Sequence, residues 1–205
     1  MKKLILLLLF LLIPSICFSG SAQNNLLNIL KSRSGGACDV AQQTEDGGQE
    51  GPKYIGRFSS TYWATKFNYS GTTGKAICQI DLWLSKVLSP SDNYYVAIWG
   101  HDGTNTEPDS ANVIGTCDAL DSSTVGASEG RISITCTTPT GTLTNGTDYW
   151  VVFYRPGGAN DTNYLIWHYD EGTDGTKDID YSTDSGATWD DDIETATLKF
   201  KLWSQ

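Results

Sequence analysis

Apolar and polar residues alternate along the chain from about Arg57 to its end, with the period of two that a half-buried strand requires. In "AICQIDLWLS", Cys78, Ile80, Leu82 and Leu84 share one face, and Trp83, out of phase with them, takes the other. "RISITCT" repeats the alternation through Ile132, Ile134 and Cys136, and "ATLKFKLW" through Leu198, Phe200 and Leu202. The runs "NYYVAIWG", "DYWVVFYR" and "NYLIWHYD" are apolar or aromatic on both faces, as an interior strand is. Between them lie stretches such as "HDGTN", "TNGTD" and "EGTDGTKD". Their Gly, Asn, Asp and Thr residues tolerate positive φ or bond their own backbone, and so turn the chain. About eight such strands at uneven spacing predict an all-β fold, a two-sheet antiparallel sandwich of jelly-roll type. No internal repeat is present, so a propeller, which needs several similar blades, is not expected.

The chain before Arg57 follows different rules. Lys2 and Lys3 precede an unbroken apolar run from Leu4 to Ile13, and Pro14 and the small residues of "SGSAQ" follow it. This is the layout of a secretory signal peptide, assigned to residues 1–22 with cleavage near Gly20 to Ala22. The apolar run is too short to span a bilayer as a helix, which takes about 20 residues. Ile16 is too large for the position that a lipoprotein signal keeps small before its cysteine, here Cys17. Residues 23–56 read as a flexible arm. "NNLLNILKSR" has the spacing of one short amphipathic helix, and "SGGACDVAQQTEDGGQEGP" has little apolar periodicity. Residues 57–205 form the expected sandwich domain.

Charge narrows the partners. The net charge is −10, and loss of Lys2 and Lys3 with the signal peptide leaves 12 basic against 24 acidic side chains, or −12. Such a surface repels phosphate backbones and anionic lipid, so neither a nucleic-acid partner nor membrane insertion after signal cleavage is expected. Cys38, Cys78, Cys117 and Cys136 make an even set in a chain built for export, which predicts two disulfides. Cys117 ends the strand-like "VIGTC" and Cys136 ends "RISITC". Of the three connectivities, Cys117–Cys136 with Cys38–Cys78 is the expectation. No Cys/His spacing of a zinc site occurs.

Candidate chemistry comes from aromatics and acids. The chain has seven tryptophans and ten tyrosines, and indole and phenol rings stack on the C–H faces of sugars. Most tryptophans of a sandwich fill its core. Trp83, by its phase, and Trp99 and Trp167, near strand ends, are the candidate ligand-binding residues. Asp170 and Asp174, followed by Gly175, match part of a calcium loop, but Gly172 and Tyr181 break the ligand set. They are the candidate metal residues for a structural calcium, with Asp190, Asp191 and Asp192 as a second acidic cluster; no other cofactor is expected. His101 and His168 lie in no nucleophile motif, so no catalytic residue is assigned.

"YSTDSGATW", Tyr181 to Trp189, carries Ser182, Asp184, Gly186 and Trp189 in the Asp-box pattern of sialidase-type propellers. A single copy, without further blades or an arginine cluster for a carboxylated sugar, makes it a hairpin turn rather than part of an active site. Together with "GTLTNGTDYWVVFYR" and "NYLIWHYD" it resembles the choice-of-anchor type of secreted bacterial and phage domain, over roughly Phe58 to Trp203. Gly146 with Tyr149 and Trp150, then Tyr164, Trp167 and Tyr169, then Tyr181 to Trp189 carry the likeness, with Asp184-Ser185-Gly186 in place of the commoner Asp-Gly-Gly. The resemblance implies a jelly-roll-like sandwich, an exported and surface-associated life, and no catalytic residues. The expectation is a secreted, non-enzymatic module that binds glycan or another cell-surface ligand. The alternatives are a structural subunit of a surface assembly or fibre, self-associating through the arm, and a glycoside hydrolase.

Overall fold

Among the described residues the regular elements are strands, apart from one helical turn at Ser122–Thr124, as segments rich in Val, Ile, Tyr, Phe and Trp favour. The computed structural model describes residues 38–44, 49–57, 61–104, 107–139, 141–171, 178–193 and 196–205. The expected signal peptide, residues 23–37 with the expected short helix, and Asp174 lie outside them. In chain order the strands are β1 (Asp39–Thr44), β2 (Gln49–Ile55), β3 (Tyr62–Asn68), β4 (Ile77–Val87), β5 (Asn93–His101), β6 (Pro108–Thr116) and β7 (Leu120–Asp121). There follow β8 (Gly130–Thr135), β9 (Thr138–Pro139), β10 (Asp148–Tyr154), β11 (Tyr164–Glu171), β12 (Ile179–Ser182), β13 (Asp190–Ile193), β14 (Ala196–Leu198) and β15 (Phe200–Ser204).

They form two antiparallel sheets packed as a sandwich. The first contains β1, β2, β4, β8, β11, β14 and β15, and the second runs β13-β12-β3-β10-β5-β6-β9, with β7 beside β5. Ile80, Leu82 and Leu84 of β4, Leu165 and Trp167 of β11, and Phe200 and Leu202 of β15 point inward from the first sheet. They meet Tyr94, Val96 and Ile98 of β5 and Tyr149, Val151 and Phe153 of β10. Each fully buried apolar side chain of this kind contributes about 1.5–3 kcal/mol.

The first sheet splits. β4 and β11 pair directly from Leu84–Val87 against Tyr164–Trp167 and then diverge. Into the fork runs the last segment of the chain, with β14 lying along β11 and β15 along β4. Lys199 sits at the vertex: its N–H donates to His168 O at 2.8 Å, and its carbonyl accepts from Trp83 N at 3.4 Å and Trp167 Nε1 at 2.9 Å. The backbone groups that the fork would leave unpaired are thereby satisfied.

Three sequence expectations meet the structure here. The pairing Cys38–Cys78 and Cys117–Cys136 is the one observed, and Cys117–Cys136 joins the end of β6 in one sheet to the end of β8 in the other. By loop closure each disulfide stabilises the fold by about 3–4 kcal/mol. The flexible arm assigned to residues 23–56 is corrected for its second half. Asp39–Thr44 pairs with β15 and Gln49–Ile55 with β11, so the sandwich begins at β1 and not at Arg57. These residues lack an apolar stripe because both strands are added beside a strand that already carries the core. Pro52, which has no N–H to donate, lies in β2. Strand addition to a neighbour, the role considered for the arm, is thus already used within the chain by residues 39–55.

Candidate functional site

Both sheets turn a second face outward. On the first, β4 presents Gln79, Asp81, Trp83 and Ser85, the positions out of phase with Ile80, Leu82 and Leu84. β15 sets Lys201 opposite Asp81 and Trp203 opposite Gln79, while β8 sets Arg131 opposite Trp83. Asp81 is only 1% exposed although it faces outward. Gln79 Nε2 donates to its Oδ1 at 2.7 Å, Trp203 Nε1 donates to its Oδ2 at 3.1 Å, and Arg131 Nε lies 4.0 Å from the same oxygen. Lys201 Nζ stands 5.0 Å over the Trp203 ring. Trp83 and Trp203 are both partly exposed. The result is a shallow polar strip, held in place by its own hydrogen bonds, with an indole at either end.

Beyond Trp83 the same face continues into a buried ionic network. Ser85 Oγ lies 2.9 Å from His168 Nε2, and His168 Nδ1 lies 3.4 Å from Glu129 Oε2. Lys199 Nζ lies 3.1 Å from Glu129 Oε1 and 3.5 Å from Asp170 Oδ1. Serine, imidazole and carboxylate in this order is the arrangement of a nucleophile relay, which sequence reading had set aside because neither histidine lies in a nucleophile motif. Ser85 is 4% exposed, within a stretch of β4 paired to β11. The relay ties β4 to β11 and to Glu129, the residue before β8.

The outer face of the second sheet is aromatic. Tyr62, Tyr154 and Tyr95 are directly opposed across β3, β10 and β5. Tyr62 and Tyr154 stack at 4.6 Å, and Tyr154 and Tyr95 at 5.6 Å. Burial raises the pKa of Tyr62 and Tyr154 above the usual phenol value. Ala64, Ala97, Trp99, Trp150, Val152 and Trp189 make a second apolar cluster beside them. The hairpin between β12 and β13 roofs it. Asp184 Oδ1 accepts from Ser182 Oγ at 2.8 Å, Ala187 N at 3.1 Å and Thr188 N at 2.8 Å, and Oδ2 accepts from Thr188 Oγ1 at 2.7 Å. Ser182 Oγ accepts from Gly186 N at 2.8 Å. Hydrogen bonds from Thr188 and Ser182 hold the Asp184 carboxyl down at about 2. Gly186, at φ 83°, presses so closely on Trp99 that a Cβ there would meet the ring at 2.9 Å. Trp189 meets Trp99 edge-on at 5.9 Å.

At the foot of this hairpin stands Asp180, paired across the ladder with Ala64 on one side and Asp191 on the other. It is 0% exposed. Burial, then the charges of Asp178 and Asp191, push its carboxyl up to about 9, with Glu107 adding to the effect.

The sequence-predicted site residues therefore divide. Trp83 is on the open outer face, as its phase indicated. Trp99 is 6% exposed under the hairpin, and Trp167 is 0% exposed between the sheets, edge-on to Phe153. Neither offers a ring to a ligand, which corrects their assignment: nearness to a strand end says nothing about what covers the face. Asp170 belongs to β11, and its Oδ1 lies 3.5 Å from Lys199 Nζ. Ser182, Asp184 and Gly186 form the turn as expected, and Trp189 joins the outer cluster. Trp203 was missed, although it is out of phase with Leu202 just as Trp83 is with Leu82.

No protein-family model matches the chain, and no curated protein matches it. Among solved structures, a match is "the cysteine protease and lectin-like domains of Cwp84, a surface layer associated protein of Clostridium difficile", with a TM-score of 0.48 and 12% sequence identity. It covers 79% of this chain and 37% of that one, so this chain spans well under half of that protein's length.

Proposed function

We propose that this chain is a secreted, non-enzymatic sandwich module that binds glycan on the outer face of its first sheet. The observation that carries the reading is the placement of two partly exposed indoles, Trp83 and Trp203, on one surface, with Gln79 and Lys201 beside Trp203 and Arg131 beside Trp83. A sugar ring offers an apolar C–H face and a rim of hydroxyls. Indoles take the first, and amide, ammonium and guanidinium groups take the second. Asp81, buried beneath them, holds Gln79 and Trp203 by hydrogen bonds before any ligand arrives, so little ordering cost remains to be met on binding. The signal-like N-terminus and the two disulfides support export. The burial of Ser85 supports a binding role over hydrolysis at the relay.

The test is a glycan array with the full chain, followed by titration of the best polysaccharide against Trp83→Ala and Trp203→Ala. Each substitution is expected to weaken binding at least tenfold, about 1.4 kcal/mol. Wild-type affinity in both variants, or no binding to any glycan, would sink the reading.

A further inference from the structure

The second sheet gathers three carboxylates, one of them wholly buried. The pairing of β12 with β13 brings Asp178, Asp180 and Asp191 together, with one oxygen from each lying within 4.8 Å of the others. Two of the three are where acidic side chains are ordinarily found, since Asp191 is exposed and Asp178 partly so. Asp180 is different. It is wholly buried, and neither Oδ1 nor Oδ2 has a hydrogen-bond partner. Ionising a carboxyl there, with no donor beside it, would cost several kcal/mol, and two neighbouring carboxylates add repulsion to that. Chains keep such a group when something absent from the bare protein compensates it.

We propose that Asp178, Asp180 and Asp191 bind a calcium ion. The donors are all carboxylate oxygens, which suit a hard divalent cation and disfavour zinc or copper. Ligands of one calcium lie about 2.3–2.6 Å from it, so two of them stand no more than about 5 Å apart. The cluster meets that limit. Asp191 leaves the cluster open to solvent on one side, which provides an entry path and room for water to complete the coordination. The ion would clamp β12 to β13 at the foot of the hairpin that roofs Trp99. It would act on the second sheet, away from Trp83 and Trp203, so the site and the glycan reading stand or fall separately. It uses neither Asp170 nor Asp174.

The experiment compares melting temperature and terbium luminescence, excited through tryptophan, for the full chain freed of metal by chelation. Calcium is added up to about 1 mM, the range of extracellular calcium modules. Calcium is expected to raise the melting temperature by several degrees and to displace terbium, and magnesium to do so only at higher concentration. Asp191→Asn, at an exposed position, should fold normally and bind calcium at least tenfold more weakly. Asp180→Asn should abolish the response while melting, without calcium, no lower than the metal-free wild type, because an amide of the same size cannot ionise and can donate to a neighbouring carboxylate. A wild-type chain indifferent to calcium, a stronger response to magnesium, or an undiminished calcium response in both variants would overturn the assignment.

Discussion

The two outward faces of the sandwich both carry tryptophan, yet they are finished in opposite ways. On the second sheet, Trp99, Trp150 and Trp189 are 6%, 0% and 8% exposed, because the hairpin between β12 and β13 folds back over them. On the first, Trp83 and Trp203 remain partly exposed, and the polar groups between them are engaged with one another rather than buried under a loop. The second face is in effect an auxiliary core, with burial as its product. The first is a pre-ordered surface that has kept its indoles available. A tryptophan that points away from the main core is a binding candidate only when no later segment of the chain covers it.

The contrast can be broken most directly at Trp150. Trp150→Ala should cost about 3–5 kcal/mol in chemical denaturation and leave glycan affinity unchanged wherever the fold persists. Trp83→Ala should do the reverse, with stability within about 1 kcal/mol of wild type and binding lost. Equal destabilisation by the two would erase the distinction between the faces.

Strong acid should loosen the second face. The folded Asp184 carboxyl titrates at about 2 against an ordinary value of 3.8, so its contribution is full above about pH 4 and fades as pH falls toward 2. Near-ultraviolet circular dichroism should show the Trp99–Trp189 environment loosening across that window, and Asp184→Asn should remove the acid dependence. A wild-type signal flat from pH 4 to 2 would show that the hairpin does not depend on this carboxylate.

The smallest effect is expected at Ser185, which holds φ 66° next to Gly186. Ser185→Gly relieves a left-handed conformation that costs a side chain roughly 1–2 kcal/mol, against roughly 0.5–1 kcal/mol of added chain entropy. A net gain of about 0.5 kcal/mol in denaturation midpoint should follow, with sugar binding unaffected.

Much of the fold was legible beforehand. The alternation in "AICQIDLWLS" identified β4, its inward residues and the outward turn of Trp83, and the two-sided runs marked β5, β10 and β11 as interior. β1 and β2 were not legible, because their burial comes from the strands they lie beside and leaves no apolar stripe of their own. Nor was the gathering of Ser85, His168 and Glu129, which lie far apart in the chain and meet only because β4 pairs with both β8 and β11.

Local chemistry by itself determined the core strands such as β4, β5, β10 and β11, the turn at Asp184 and Gly186, and the acidic balance, since each depends on period, φ or charge within a few residues. The tertiary structure alone decided which outward residues stay open. Trp99 and Asp180 are buried, and Trp83 and Trp203 are not, because one hairpin closes over the second sheet and no described segment closes over the first. Cover of that kind depends on where distant segments come to rest, and alternation within a strand carries no record of it.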